Sequence, residues 1–229
     1  MTFNEILAQV QLNVWGNTPP PANMTDMLTD TVIPNAHKRI QKDHNLGFMI
    51  TWTEFVTAVG YTGRYNQAYT LPDGFKEIVA VQWQLTNDDG DDLGKSKPLA
   101  PVALGHAQEK YWPGDNIQTV EYPTSYEIIN NTIVFYPEPN EVRTAIMTYF
   151  QFVDCPAGAN DDWLLIYGDE AVIAKATAMV YKVMHDMNNY QLWEGIFADE
   201  EARLLSVDFA KRFTMFKEIL PEDYSNLYE

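Results

Sequence analysis

Hydrophobic positions recur along this chain in two rhythms, a helical spacing toward both ends and a two-residue alternation in the middle. Thr2-Phe-Asn-Glu5 reads as a capping box, in which the threonine hydroxyl and the glutamate side chain each satisfy a free amide. It predicts a helix to about Val14, with Ile6, Val10 and Val14 on one stripe. Gly16-Asn-Thr-Pro-Pro-Pro-Ala22 ends that helix in a stiff, extended connector. A second helix falls between Thr25 and Asp43, with Ile33, Ala36 and Ile40 buried and Lys38, Arg39, Lys42 and Asp43 solvated. Pro34 either kinks it or lies in the first turn of a helix beginning near Thr31.

From Met49 the period shifts toward two, and Phe48 to Val59 fits a strand better than a helix. Tyr69-Thr-Leu-Pro-Asp-Gly74 reads as a strand entering a turn, followed by a strong strand from Phe75 to Leu85. Asn87-Asp-Asp-Gly-Asp-Asp92 is an acidic loop tip, and a short helix is expected around Gly105 to Tyr111. Ile128, Ile129, Ile133, Val134, Phe135 and Tyr136 suit the arms of a hairpin turning at Asn130-Asn131, because asparagine tolerates positive φ. Pro137 and Pro139 end the second arm and start a loop. Thr144 to Phe152 then alternates, placing Ile146, Thr148, Phe150 and Phe152 on one face and Met147, Tyr149 and Gln151 on the other.

After Asp154-Cys-Pro-Ala-Gly158 the pattern turns helical. Asp169-Glu-Ala opens a helix with acid at the positive end of its dipole. Its stripe is Val172, Ala176, Met179, Val183 and Met187, widened by Ile173, Val180 and Met184. Asn188-Asn189 loosens the chain, and a last helix runs from about Tyr190 or Ala198 to Ile219. Its stripe reads Ala202, Leu205, Phe209, Phe213, Phe216 and Leu220, and Pro221 stops it. The class is therefore α+β, with an antiparallel set of strands.

Composition adds a strong charge signal: 32 acidic residues oppose 15 basic ones, a net charge of −17. A nucleic-acid grip normally presents a basic stripe, and this chain repels phosphate instead. The surplus acid keeps a surface soluble, or makes a wall past which nucleic acid slides without adhering. No apolar run reaches the roughly 20 residues of a membrane helix, so no membrane partner is expected. The single cysteine, Cys155, is expected to be an inert thiol.

A search for chemistry finds no phosphate cradle and no nucleophile elbow. His37, His44, His106 and His185 form no ligand motif; His37 and His44 are read as surface residues that share a helix face. The Asn87 to Asp92 tip lacks the glycine and glutamate placement of a calcium loop. No catalytic residue, metal or cofactor is expected.

A series of segments, in order, resembles the head-to-tail adaptor proteins of tailed bacteriophages. They are Leu28 to Asp43, Tyr69-Thr-Leu-Pro-Asp73, Phe75-Lys-Glu-Ile-Val-Ala-Val81, Tyr126 to Pro139, Ile146 to Phe150, and Trp163-Leu-Leu-Ile-Tyr167 before an alanine-containing helix. The resemblance implies a helical bundle core built from the N- and C-terminal helices, residues 1–47 and 157–229 with a C-terminal tail, carrying an antiparallel β insertion at 48–156. It implies a virion protein, assembled in the host cytoplasm, that forms a ring of about twelve copies under the portal, closed by contacts between neighbours. That ring extends the DNA channel, which DNA crosses without specific binding, and receives a tail or nozzle protein. Phe213, Phe216, Tyr224, Leu227 and Tyr228 are then candidates for the portal contact, and Asp88, Asp89, Asp91, Asp92, Glu121 and Glu127 for the channel lining. Two alternatives stand beside it: a β-rich phage tail hydrolase or carbohydrate-binding module, and another connector component such as a stopper or nozzle.

Overall fold

The computed structural model describes residues 1–57, 68–86, 92–102, 119–120, 122–139 and 142–219, without the side chains of 86, 92–95, 119–120 and 211–219. The class is α+β, and the chain divides into two compact units, residues 1–49 with 152–229 and residues 50–151.

In the first unit, α1 (Phe3–Trp15) starts at the capping box read from the sequence: Thr2 N–H donates to Glu5, and Glu5 N–H donates to the Thr2 hydroxyl. Other free amides at this end, those of Phe3 and Asn4, donate to the carbonyls of Asn160 and Gly158, so a distant loop completes the cap. Ala22 to Asp43 is one helical run in three parts: α2 (Ala22–Met27), a π-helical turn (Leu28–Val32) and α3 (Ile33–Asp43). Pro34 explains the middle part. It has no N–H to offer the preceding turn and its ring crowds the carbonyls there, so the helix widens just before it, with Ile33 N–H donating back to Leu28. Ile33, Ala36 and Ile40 are buried, and Lys38, Arg39, Lys42 and Asp43 are exposed.

α4 (Trp163–Tyr167) is a single capped turn, and α5 (Asp169–Val183) is the central helix of the unit. α1, α3, α4 and the long α6 (Met187–Ile219) all pack on α5. Its small side chains permit this: Ala171, Ala174, Ala176, Thr177 and Ala178 are buried among Val172, Ile173 and Val180, so neighbours approach from several sides. Gly168, between α4 and α5, works the same way, since a β-carbon there would lie 2.8 Å from Leu164 and 3.0 Å from Leu204.

Two expectations about these helices are corrected. The α5 stripe ends at Val180, and Val183, Met184 and Met187 are exposed. The break before α6 falls at Met184–Asp186 rather than at Asn188-Asn189. His185 takes φ 59°, and the amides of His185 and Asp186 donate to Lys182 and Tyr181, a Schellman stop. Asp186 then caps α6 by accepting the Asn189 N–H at 3.2 Å, so both asparagines belong to the first turn of the helix.

Among the described residues, the second unit holds two four-stranded sheets and a two-stranded pair. The first sheet has order β1 (Ile50–Val56), β10 (Thr144–Gln151), β3 (Phe75–Thr86) and β4 (Asp92–Pro98), all antiparallel. The second has order β2 (Ala68–Thr70), β8 (Thr132–Tyr136), β7 (Ser125–Ile129) and β5 (Ala100–Pro101). β7 and β8 form the predicted hairpin, with Asn130 at φ 56°. The purely antiparallel expectation is corrected at two short pairs: β5 runs parallel to β7, and β6 (Thr119–Val120) runs parallel to β9 (Glu138–Pro139). Pro137 does end β8, but Glu138 and Pro139 pair briefly instead of starting a loop.

Inner residues of both sheets meet in one core. Phe55, Val81, Trp83, Ala145, Met147 and Tyr149 come from the first sheet and Tyr126, Ile133 and Phe135 from the second. Trp83 is fully buried and meets Phe135 edge-on, with ring centroids 5.7 Å apart. β8 is buried on both faces because Val134 and Tyr136 pack into a second cluster, which accounts for its unbroken apolar run. The expected helix at 105–111 and the tip at 87–91 lie outside the described residues.

Candidate functional site

α6 presents two unlike faces, and the polar one is turned inward. Tyr190, Glu194, Phe197, Glu201, Leu204 and Asp208 recur at helical spacing and are buried or half-buried. The charges on this face have partners from elsewhere in the unit. Glu194 holds Lys175 at 2.8 Å, Glu201 meets His44 at 2.9 Å, and Asp208 accepts the Gly47 N–H at 2.6 Å. The opposite face carries Leu192, Ile196 and Asp199 in the open, and on the flank beside Asp208 the Phe209 ring is 72% exposed. The sequence stripe through Ala202, Leu205 and Phe209 therefore has the wrong phase: Ala202 and Phe209 are exposed and Leu205 is half-buried. Hydrophobic pattern misleads here because three inward positions are acidic residues whose partners come from distant segments.

Beside the inner face of α6, an open cleft is lined by Arg39 of α3, Lys175, Met179 and Lys182 of α5, and Tyr190 and Glu194 of α6. Arg39 pairs with Asp43 at 2.7 Å, and Lys175 pairs with Glu194 and lies 4.5 Å from the Phe197 ring. Lys182 lies 5.6 Å from the centre of the Tyr190 ring and has no carboxylate partner among the described residues. Sequence spacing could not mark this cleft, because its cations come from separate segments.

His37 is no surface histidine, as the sequence had suggested, but is 1% exposed. Gln41 accepts the Val153 N–H on its amide oxygen, so its amide nitrogen donates to the Val153 carbonyl and to His37 Nδ1. The imidazole proton therefore sits on Nε2 and is donated to Asp162 at 2.7 Å. Asp162 also caps α4 by accepting the Leu165 N–H at 2.8 Å. This network ties α3, the chain at Val153 and α4 together. Nearby, burial and then the Asp162 charge push the Cys155 thiol up to about 12, which keeps it protonated and unreactive. Among the described residues, no group of His, Cys, Asp and Glu side chains is arranged to hold a metal ion, and no helix is long and apolar enough to cross a membrane.

The residues proposed from the sequence fare unevenly. Phe213 and Phe216 belong to α6, but their side chains lie outside the described residues, as do Tyr224, Leu227 and Tyr228 entirely. Asp88, Asp89, Asp91 and Glu121 also lie outside them, and Asp92 begins β4 opposite Thr86 without a described side chain. Glu127 is described, and it is 2% exposed, accepting the Tyr136 hydroxyl at 3.0 Å. Its carboxylate is buried rather than on a surface past which DNA could move: position 127 shares the hairpin face of Val134 and Tyr136, opposite to Tyr126, and that face is covered as well. That assignment is corrected.

No curated protein matches the chain at a significant level. The family comparison is decisive by its extent: residues 1–222, taking in both compact units, match the model of the SU10 adaptor protein, and the chain belongs to that family of phage adaptors, whose role in the virion is structural.

Proposed function

We propose that this protein is a head-to-tail adaptor that forms a ring of about twelve copies under the portal, closed by repeated contacts between neighbours. The ring extends the DNA channel and offers the attachment site for a tail or nozzle protein. DNA passes through its lumen without specific binding. The family match over residues 1–222 carries this reading. It is supported by the exposed surface of α6, where Leu192, Ile196 and Phe209 lie in water in the single chain. Phe213 and Phe216 follow Phe209 along the same helix, and with Tyr224, Leu227 and Tyr228 they are the proposed portal contact. The proposed lumen residues are Asp88, Asp89, Asp91, Asp92 and Glu121, whose charge keeps phosphate from adhering. Assembly takes place in the host cytoplasm, and no catalytic step is part of the role.

Imaging of the purified portal ring with and without this protein tests the proposal. Added density of the portal's symmetry on its narrow end is the expected outcome, and an unchanged portal refutes it. Truncation after Leu220 should abolish that density; a truncated chain that still binds would remove the tail residues from the contact.

A further inference from the structure

Copies of a chain at net charge −17 repel one another, so any ring they form needs local attraction at each contact. Resting on the adaptor reading above, we infer that the cleft around Lys182 receives the outward face of α6 from a second copy, with Lys182 of one chain opposite Asp199 of the next. The cleft supplies Lys182 and Arg39 beside Met179 and Tyr190, a mixture of cation, methionine and aromatic suited to a protein partner. The α6 face supplies exposed Leu192 and Ile196 next to Asp199, which is itself exposed and forms no ion pair among the described residues. The remaining acids nearby are already engaged, Glu200 with Arg203 at 3.2 Å and Glu201 with His44. Val183 and Met187, exposed at the turn into α6, extend the apolar rim on the Lys182 side.

Placement decides the symmetry. The cleft is lined by Tyr190 and Glu194 on the inner side of α6, whereas Asp199 lies on the outer side. The two surfaces are different patches on the same unit, so each chain can offer its cleft to one neighbour and its Asp199 face to another. A head-to-tail contact results, the kind that propagates into a ring.

Charge reversal tests the pairing. Lys182→Glu and Asp199→Lys are at exposed positions, and circular dichroism should show both variants folded. Self-association of the free chain would be followed by sedimentation at low and high salt, and occupancy of portal rings by native mass measurement. Each single variant should weaken association at low salt by about tenfold, since a like-charge contact replaces an attraction. The double variant should recover most of that loss, because each head-to-tail contact then holds one reversed pair. Singles that associate like the parent, or a double variant that stays as weak as the singles, would overturn the inference. So would a parent chain that shows no association in either setting. Salt-sensitive binding of a short DNA duplex that Lys182→Glu abolishes, with association unaltered, would reassign the cleft to phosphate. Association lost in the singles and restored in the double, with no loading on portals by any of them, would keep this contact and remove the adaptor reading.

Discussion

Asp208 and Gly47 are joined by a hydrogen bond of 2.6 Å that ties the far part of α6 to the turn after α3. Asp208 is 4% exposed, and the very next residue, Phe209, is 72% exposed. The apolar ring is in water and the carboxylate is inside. Asp208→Ala should therefore destabilise the protein by about 1–3 kcal/mol, because it removes a charge-assisted acceptor and leaves the Gly47 amide without it. Denaturant unfolding measures the loss; an unchanged midpoint would mean the α6 end does not depend on this bond.

The phase of α6 gives a paired test. Leu204 is 2% exposed and lies against Gly168, so Leu204→Ala should cost about 2–5 kcal/mol. Phe209→Ala should change stability by no more than about 0.5 kcal/mol, since little around that ring is lost. Thermal melts of both variants separate this phase from the one through Leu205 and Phe209, which would reverse the ranking.

Asp162 performs two tasks at once, accepting Leu165 N–H at the start of α4 and the His37 imidazole N–H. Asp162→Ala should cost about 3 kcal/mol, more than a simple cap, because the buried His37 proton then has no acceptor. Asp162→Asn should recover part of the cap but not the full imidazole bond. Equal stability of the alanine and asparagine variants would show that the cap contributes nothing.

Glu138 is buried in the β unit, with no hydrogen-bond partner for Oε2 among the described residues, and burial raises its pKa. In the unfolded chain it ionises in the ordinary glutamate range, while in the folded chain it holds its proton to higher pH. The folded state therefore binds more protons across that window, and its stability falls as pH rises through it. Glu138→Gln, neutral at all pH values, should flatten this decline and match or exceed the parent at pH 8. A melt series from pH 4 to 8 in which parent and variant decline in parallel would contradict it.

Much of the local structure was legible in the sequence. The capping box at Thr2-Glu5, the hairpin turn at Asn130 and the alternation along β10 depend on neighbours close in the chain, whose chemistry is written consecutively. Pro34 marked a disturbance correctly, but whether it would kink, stop or widen the helix depended on what Leu28, Val32 and Ile33 could bury on either side.

Residue patterns by themselves determined the α+β class, the sheet in the middle and the helices at both ends, because periodicity of 2 or 3.6 follows from backbone geometry alone. Tertiary structure alone decided which face of α6 is buried. Glu194, Glu201 and Asp208 read as surface in sequence, yet Lys175, His44 and Gly47 bring them inside. The same holds for Glu127 under the Tyr136 hydroxyl and for His37 between Gln41 and Asp162. A polar side chain can be buried only when its partner arrives from elsewhere, and that partner's arrival is a property of the fold rather than of any stretch of sequence.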